Sequence, residues 1–123
     1  MLRLMQNSFS DNIKGYIDGL LDNVSDIELV GLATANGFPI AVKSRGPAAI
    51  DNRMLSAFIA SIINDVSRSL KAANMSADVE ALTIITSSSQ ILLRRKGDLI
   101  IVIKASPDAD TNLLLYLINQ DPF

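Results

Sequence analysis

Apolar side chains recur at three- and four-residue steps along the stretch from Asp51 to Asn74, which contains neither Gly nor Pro. The recurring positions are Leu55, Ile59, Ile62, Val66, Leu70 and Ala73. Because this spacing puts them on one side of an α-helix, the pattern predicts a long amphipathic helix. Asp51 or Asn52 would cap its start, Asn74 would end it, and Ile63 widens its apolar side.

The apolar arc of this predicted helix is wider than the roughly 100° that packing on one sheet face requires. Met54 and Phe58 extend the stripe on one flank, and Ser61 and Asp65 continue that flank. Three residues form the predicted solvated side: Arg53, Asn64 and Lys71. Two interpretations fit this pattern. The helix is sunk deeply in its own domain, or its second flank packs on another subunit, whose approach the small Ala57 and Ser61 would allow.

The remaining hydrophobic runs predict two shorter helices and five strands. The first helix starts at a cap at Ser10 or Asp11 and runs to Val24, after a loose terminus at residues 1–8. Asn36-Gly37 separates two apolar runs and is the strongest short-range signal for a β-hairpin, since both residues tolerate a positive φ. The two strands of this hairpin are Ile27–Thr34 and Phe38–Lys43.

After the long helix, the pattern predicts a three-stranded meander and a last helix. The three strands are Val79–Thr86, Gln90–Lys96 and Leu99–Lys104. Pro107 with Asp108 or Asp110 would start the last helix. The predicted order is therefore α-β-β-α-β-β-β-α. Apolar residues on both sides of the fifth strand predict helices on both faces of one sheet, which makes an α/β (α+β) protein with a single domain over residues 1–123.

Composition narrows the function classes. Of the 123 residues, 49% are hydrophobic and none is Cys, so the chain buries a substantial core without a disulfide framework. A net charge of −2 argues against a nucleic-acid partner, which selects a basic face. No apolar run is long enough to span a membrane, and the first residues do not form a signal peptide. These features predict a cytoplasmic protein without membrane insertion.

Little in the sequence points to catalysis. His and Cys, which supply the commonest bases, nucleophiles and metal ligands, are both absent. No Gly-rich phosphate loop occurs. Asp108 and Asp110 have a spacing that suits a hard cation, but acids at a helix start more simply cap it. The basic cluster Arg94-Arg95-Lys96 lies on a predicted strand, where successive side chains face opposite ways. We therefore predict no enzyme, no catalytic residue, no metal and no cofactor.

Residues 27–41 read IELVGLATANGFPIA: an apolar strand, Ala-Thr, a polar-Gly turn and a Pro-Ile-Ala return. This hairpin resembles the first hairpin of the Roadblock/dynein light-chain family. The long helix, the meander and the last helix, with its run Asn112-Leu113-Leu114-Leu115-Tyr116-Leu117, follow the layout of that family too. The resemblance covers residues 13–119. It is greatest to prokaryotic members, which include a bacterial polarity regulator that binds a Ras-like GTPase.

The resemblance implies a five-stranded antiparallel sheet in the order 2-1-5-4-3, with the long helix on one face and the terminal helices on the other. It also implies a homodimer formed through the long helix and the third strand. As a function it implies a non-catalytic scaffold that binds a small Ras-like GTPase and modulates its cycle. Two alternatives stay open: a dimerisation or adaptor subunit of a larger motor or signalling complex, and a small-molecule sensor of the PAS or GAF kind. A sensor needs a binding cavity, whereas this core is rich in Ile and Leu.

In that strand order, the second and third strands are the sheet edges. Pro39 and Lys43 on the second strand discourage pairing with another chain. The third strand has neither Pro nor Lys, so we predict that it pairs with its twin. The predicted dimer interface comprises Met54, Phe58, Ser61, Asp65, Val79, Ala81, Thr83 and Ile85. The predicted GTPase contact lies on the outer surface of the paired long helices or on the neighbouring hairpin loops, and its predicted residues are Arg53, Ala57, Asn64 and Arg68.

Overall fold

A computed structural model describes residues 2–46, 51–75 and 78–120, with side chains from residue 11 onward. The elements are α1 (Leu2–Asn23), β1 (Ile27–Thr34), β2 (Pro39–Ser44), α2 (Asn52–Ala72), β3 (Ala81–Ile85), β4 (Gln90–Lys96), β5 (Leu99–Ala105) and α3 (Thr111–Ile118). Their succession confirms the predicted order α-β-β-α-β-β-β-α.

The five strands form one antiparallel sheet in the order β2-β1-β5-β4-β3, as predicted. The central strand β5 pairs with β1 from Ile27↔Ala105 to Thr34↔Leu99. On its other side, β5 pairs with β4 from Gln90↔Ala105 to Lys96↔Leu99. The hairpin strand β2 and the short strand β3 therefore lie at the two edges of the sheet.

Helices cover both faces of the sheet, and each face has its own hydrophobic cluster. The cluster beneath α1 and α3 includes Ile13, Ile17, Leu20, Leu21, Val30, Leu32, Leu92, Ile101, Ile103, Leu114 and Ile118. The cluster beneath α2 includes Leu29, Ala33, Ile59, Ala60, Ile63, Leu93, Ile100 and Val102. Since successive residues of β5 alternate between the two clusters, this strand is buried on both faces. The predicted distribution of helices is confirmed.

Some predicted boundaries are wrong. Helix α1 begins at Leu2, so neither the cap at Ser10 or Asp11 nor the loose terminus is correct for the described residues. Residues 2–12 contain no Gly or Pro, and the two Ser residues there lower helix propensity too little to interrupt a helix. Strand β3 is shorter than predicted, because it begins at Ala81 and ends at Ile85.

Helix α2 starts and ends where the sequence predicts. The Asp51 carboxylate accepts hydrogen bonds from the backbone N–H groups of Arg53 at 2.8 Å and Met54 at 3.4 Å. This side chain satisfies donors that have no partner inside the helix. At the other end, Asn74 has a φ of 56°, a left-handed conformation that Asn tolerates better than most residues and that ends the helix.

The most deeply buried line of α2 differs from the predicted stripe. It consists of Ser56, Ile59, Ala60, Ile63 and Ser67. Small residues are buried because the turn between β1 and β2 lies against them: a Cβ on Gly37 would stand 3.2 Å from the Ala57 Cα. The Asn64 amide also donates to the Ala35 carbonyl at 3.4 Å. The prediction of a solvated Asn64 is therefore wrong, and the close neighbour of Ala57 is the turn.

Gln90 joins β4 to the loop that leads into α3. Its side chain is buried, and its amide donates to the Ala109 carbonyl at 2.8 Å and to the Pro107 carbonyl at 3.3 Å. Its side-chain oxygen accepts a bond from the Thr111 hydroxyl at 2.6 Å. Both ends of one buried amide are thus satisfied, and the start of α3 is fixed against the sheet.

We expect Gln90→Leu to lower the free energy of unfolding by about 2 kcal/mol, because buried carbonyls lose their donor. Urea unfolding measures this loss. Thr111→Val is the matched control: it removes only the hydroxyl bond and should lower the free energy of unfolding by about 1 kcal/mol. Equal stability of Gln90→Leu and the unchanged protein would contradict this role for the amide.

Candidate dimer interface

The outer side of β3 has open main-chain groups. The Arg95 N–H donates to the Glu80 carbonyl at 2.7 Å, and the Thr86 N–H donates to the Ser89 carbonyl at 2.9 Å. Hydrogen-bonded and non-hydrogen-bonded pairs alternate along an antiparallel ladder, so the even-numbered residues of β3 bond to β4. The residues that direct N–H and C=O outward are Ala81, Thr83 and Ile85. In the described part of the chain nothing pairs with them.

The side chains of β3 alternate between the two faces of the sheet. Leu82 packs against the cluster beneath α2, which puts Ile84 on that face as well. Ala81, Thr83 and Ile85 therefore lie on the face of α1 and α3, where all three are exposed and Ile85 is 70% exposed. The predicted interface residues of the strand thus offer main-chain groups at the edge, while their side chains face away from α2.

Val79 lies before β3 rather than in it, contrary to the prediction. Its N–H donates to the Ser67 hydroxyl at 2.9 Å and is therefore not available to another strand. Close by, the Lys71 ammonium contacts the Asp78 carboxylate at 2.6 Å, and this hydrogen bond lowers the pKa of Asp78. These two contacts hold the segment that enters β3 against the end of α2.

The predicted interface residues of α2 form one exposed flank. At about 100° per residue, Met54, Phe58, Ser61 and Asp65 lie within an arc of about 60°. Met54 is 72% exposed and Phe58 is 57% exposed. The Asp65 carboxylate accepts bonds from the Ser61 hydroxyl at 3.3 Å and from Arg68 at 3.1 Å. The flank is therefore apolar near the start of α2 and balanced in charge farther along.

Half-buried apolar residues connect this flank to the β3 side of the sheet. Leu55 and Ile62, three residues before and four after Phe58, pack against the cluster beneath α2. Leu82 and Ile91 pack against the same cluster and are half-buried too. The sequence did not predict these residues as part of the interface. The alternation of side chains along a strand does not show on which face of the sheet edge α2 leaves them uncovered.

The four residues of the predicted GTPase contact divide into two pairs. Arg53 and Arg68 are exposed on α2, and Arg68 pairs with Asp65. Ala57 and Asn64 lie against the turn between β1 and β2, as described above. At about 100° per residue, all four lie within an arc of about 60° along α2, so the structure places them on one face of the helix. Arg53, Ala57 and Arg68 are exposed there, and Asn64 is half-buried.

The chemistry that this surface offers is binding. Among the residues that the structure describes, no group of three or more acidic side chains could hold a metal ion. Within the same ranges no helix is long and apolar enough to cross a membrane. What the surface supplies is a row of main-chain donors and acceptors on β3 and an apolar flank on α2, which suit contact with another polypeptide.

Residues 14–105 match the Roadblock/LC7 domain family. The chain belongs to the Roadblock/LC7 family. A comparison with curated proteins gave no significant match. The family membership of this chain agrees with the resemblance of its first hairpin and with the strand order of its sheet.

Solved structures of Roadblock/LC7 proteins share the fold of this chain. A Roadblock/LC7 domain from Streptomyces avermitilis is 16% identical, with a TM-score of 0.72 over 83% of this chain and 84% of that one. Myxococcus xanthus MglB is 16% identical, with a TM-score of 0.77 over 86% and 85%. The gliding protein MglB from Thermus thermophilus is 13% identical, with a TM-score of 0.76 over 87% and 80%. At these identities the likeness establishes the fold.

Proposed function

We propose that this Roadblock/LC7 chain is a non-catalytic homodimeric scaffold that binds a small Ras-like GTPase and modulates its cycle. The observation that carries the dimer is the open edge of β3 next to the exposed apolar flank of α2. A bare edge strand invites uncontrolled pairing, so a soluble protein needs it covered. A second copy of the same chain is always available to cover this edge.

In the proposed dimer, β3 pairs antiparallel with β3 of the second copy around a two-fold axis at Thr83. This register places Ala81 opposite the partner's Ile85, and all outward N–H and C=O groups of both strands bond across the axis. Such a contact is self-complementary and therefore stops at two chains. The joined sheet has ten strands, and the Met54 and Phe58 side chains of both copies lie in the seam between the two α2 helices.

The GTPase partner rests on family membership and on the likeness to MglB, an argument by association rather than from a site. Within the proposed dimer, the outer surface of α2 stays accessible. Arg53 and Arg68 are exposed basic residues on α2 and are the proposed contacts with the GTPase. Ala57 and Asn64 contribute by holding the β1–β2 turn beside that surface.

Calorimetric titration with the Ras-like GTPases of the source genome, each loaded with GDP or a non-hydrolysable GTP analogue, tests the proposal. We expect one GTPase to bind in one nucleotide state with a ratio of one GTPase per dimer or per protomer. The double variant Arg53→Ala/Arg68→Ala should weaken that binding by about ten-fold, the effect expected of losing one or two exposed charge contacts.

Two further measurements separate the parts of the proposal. GTP hydrolysis by the bound GTPase should change when the scaffold is added, whereas the scaffold by itself should hydrolyse none. If the protein is a dimer and no GTPase binds in either state, the scaffold serves a different partner, and the adaptor interpretation replaces this one.

A further inference from the structure

The other edge of the sheet, β2, also has open main-chain groups. The Arg45 N–H donates to the Glu28 carbonyl at 2.8 Å, which fixes the alternation along the β1–β2 ladder. Lys43 and Ala41 therefore bond toward β1, and Val42 and Ser44 direct N–H and C=O away from the sheet. No strand in the described ranges pairs with this outer side.

The sequence predicts that Pro39 and Lys43 discourage strand pairing at this edge, but in the structure they leave most of it open. Pro39 is the first residue of β2, at the register shift between Leu32 and Ala33, so it blocks only the start of the strand. The Lys43 ammonium is held by the Asp18 carboxylate of α1 at 2.6 Å. This hydrogen bond lowers the pKa of Asp18 and raises the pKa of Lys43. The stretch from Ala41 to Ser44 is thus an accessible edge.

A cleft of about 250 Å³ lies between α1 and β2, next to the open edge. Its apolar walls include Ile13, Ile17 and Ile40, and its charged groups are Lys14, Asp18 and Lys43. The cleft is smaller than the roughly 300–1,000 Å³ of pockets that enclose small ligands. Its size suits a single apolar side chain, and its charged groups carry one net positive charge.

We propose that the outer edge of β2 and this cleft bind an extended segment of a partner protein. The segment adds a strand to the sheet by pairing with the main chain of Val42 and Ser44. It inserts one apolar side chain into the cleft, and carboxylates on either side of that side chain face the lysines. Strand addition combines main-chain hydrogen bonds for affinity with side-chain pockets for selectivity, and this edge offers both.

A second copy of the chain is a poor occupant for this site. If β3 joins two copies as proposed above, pairing through β2 as well would link each dimer to the next and give a ribbon that does not close. The partner in this inference is therefore a different polypeptide. The site is independent of the proposed GTPase contact, which lies on α2 across the sheet.

The test uses the full chain, labelled with ¹⁵N, and a capped peptide probe of sequence Thr-Glu-Thr-Leu-Thr-Glu-Thr. Its Glu and Leu side chains share one face of an extended strand. We expect the peptide to shift the amide resonances of residues 41–44 and to slow hydrogen exchange at the Val42 and Ser44 amides. The same peptide with N-methyl groups at alternate residues, which removes the donors of one edge, should bind at least about ten-fold more weakly.

Two variants test the two parts of the site. Ser44→Pro removes an outward N–H that the sheet does not use, and Ile40→Glu adds a charge to the cleft wall that repels the peptide carboxylates. Each variant should weaken binding of the peptide by at least about ten-fold. Thr83→Pro, at the opposite edge, should bind the peptide unchanged and thereby separates this inference from the proposed dimer.

Three results would overturn the inference. The first is that the peptide at millimolar concentration shifts no amide resonance between residues 41 and 44. The second is that the peptide binds Ser44→Pro and Ile40→Glu as tightly as it binds the unchanged protein. The third is a lower oligomeric state of Ser44→Pro in light scattering, which would assign the edge to a second copy of this chain.

Discussion

Thr83→Pro should raise the dissociation constant of the dimer by at least about 100-fold while leaving the protomer folded. The Thr83 N–H points away from β4, so proline removes a donor that the sheet of one protomer does not use. At the proposed two-fold axis, the change removes one hydrogen bond from each copy and leaves the two facing carbonyls without donors. Proline is tolerated on edge strands where the N–H faces outward.

Light scattering and analytical ultracentrifugation over a dilution series measure the dissociation constant, and far-ultraviolet circular dichroism checks the fold. Thr83→Val is the matched control, because it keeps the N–H and the β-branched shape and should remain dimeric. A folded Thr83→Pro protein that dimerises as tightly as the control would refute pairing through β3.

Phe58→Asp should dissociate the dimer by an independent route. In the isolated protomer the Phe58 side chain is 57% exposed, so a charge there costs the fold little. In the proposed seam, each copy loses the burial of one Phe, roughly 1.5–3 kcal/mol, and the two new carboxylates repel each other. Together these effects should raise the dissociation constant by at least about 100-fold.

Sedimentation of the Phe58→Asp protein at low and high salt measures this effect. Phe58→Leu keeps an apolar side chain and is the control, which should stay dimeric. If Phe58→Asp is as dimeric as Phe58→Leu while Thr83→Pro is a monomer, the strands pair but the helices do not meet. If both variants are dimers, the interface lies elsewhere and the wide apolar arc of α2 serves only its own core.

Local signals in the sequence predicted most of the fold. Asn36-Gly37 located the first hairpin, and Gln90–Lys96 was predicted with its observed bounds, because Gly97-Asp98 ends it clearly. The cap at Asp51 and the stop at Asn74 were also predictable, since each follows from a local property of one residue: the Asp51 carboxylate accepts from the next N–H groups, and Asn tolerates a positive φ. The strand order came from the family resemblance and not from these local signals.

Contacts between distant segments account for what the sequence did not predict. Ser56, Ala60 and Ser67 are buried in α2 because the hairpin turn and the segment before β3 approach them, and hydrophobic periodicity cannot register small buried residues. Before β3, the Ser67 hydroxyl accepts the Val79 N–H, a contact between distant segments that the local sequence does not signal. Likewise, no sequence signal shows that Lys43 reaches Asp18 rather than shielding its own strand.

The pairing of β1 with β5 sets the order in which a nascent chain can fold. Ile27 is made well before its partner Ala105, which lies 78 residues later in the chain. At about 5–20 residues per second, β1 waits for several seconds with one edge unpaired and both faces rich in apolar side chains. During that interval α1, β2 and α2 are the elements already made that can pack against it. The stage most exposed to aggregation therefore occurs during translation, before the finished protomer exists.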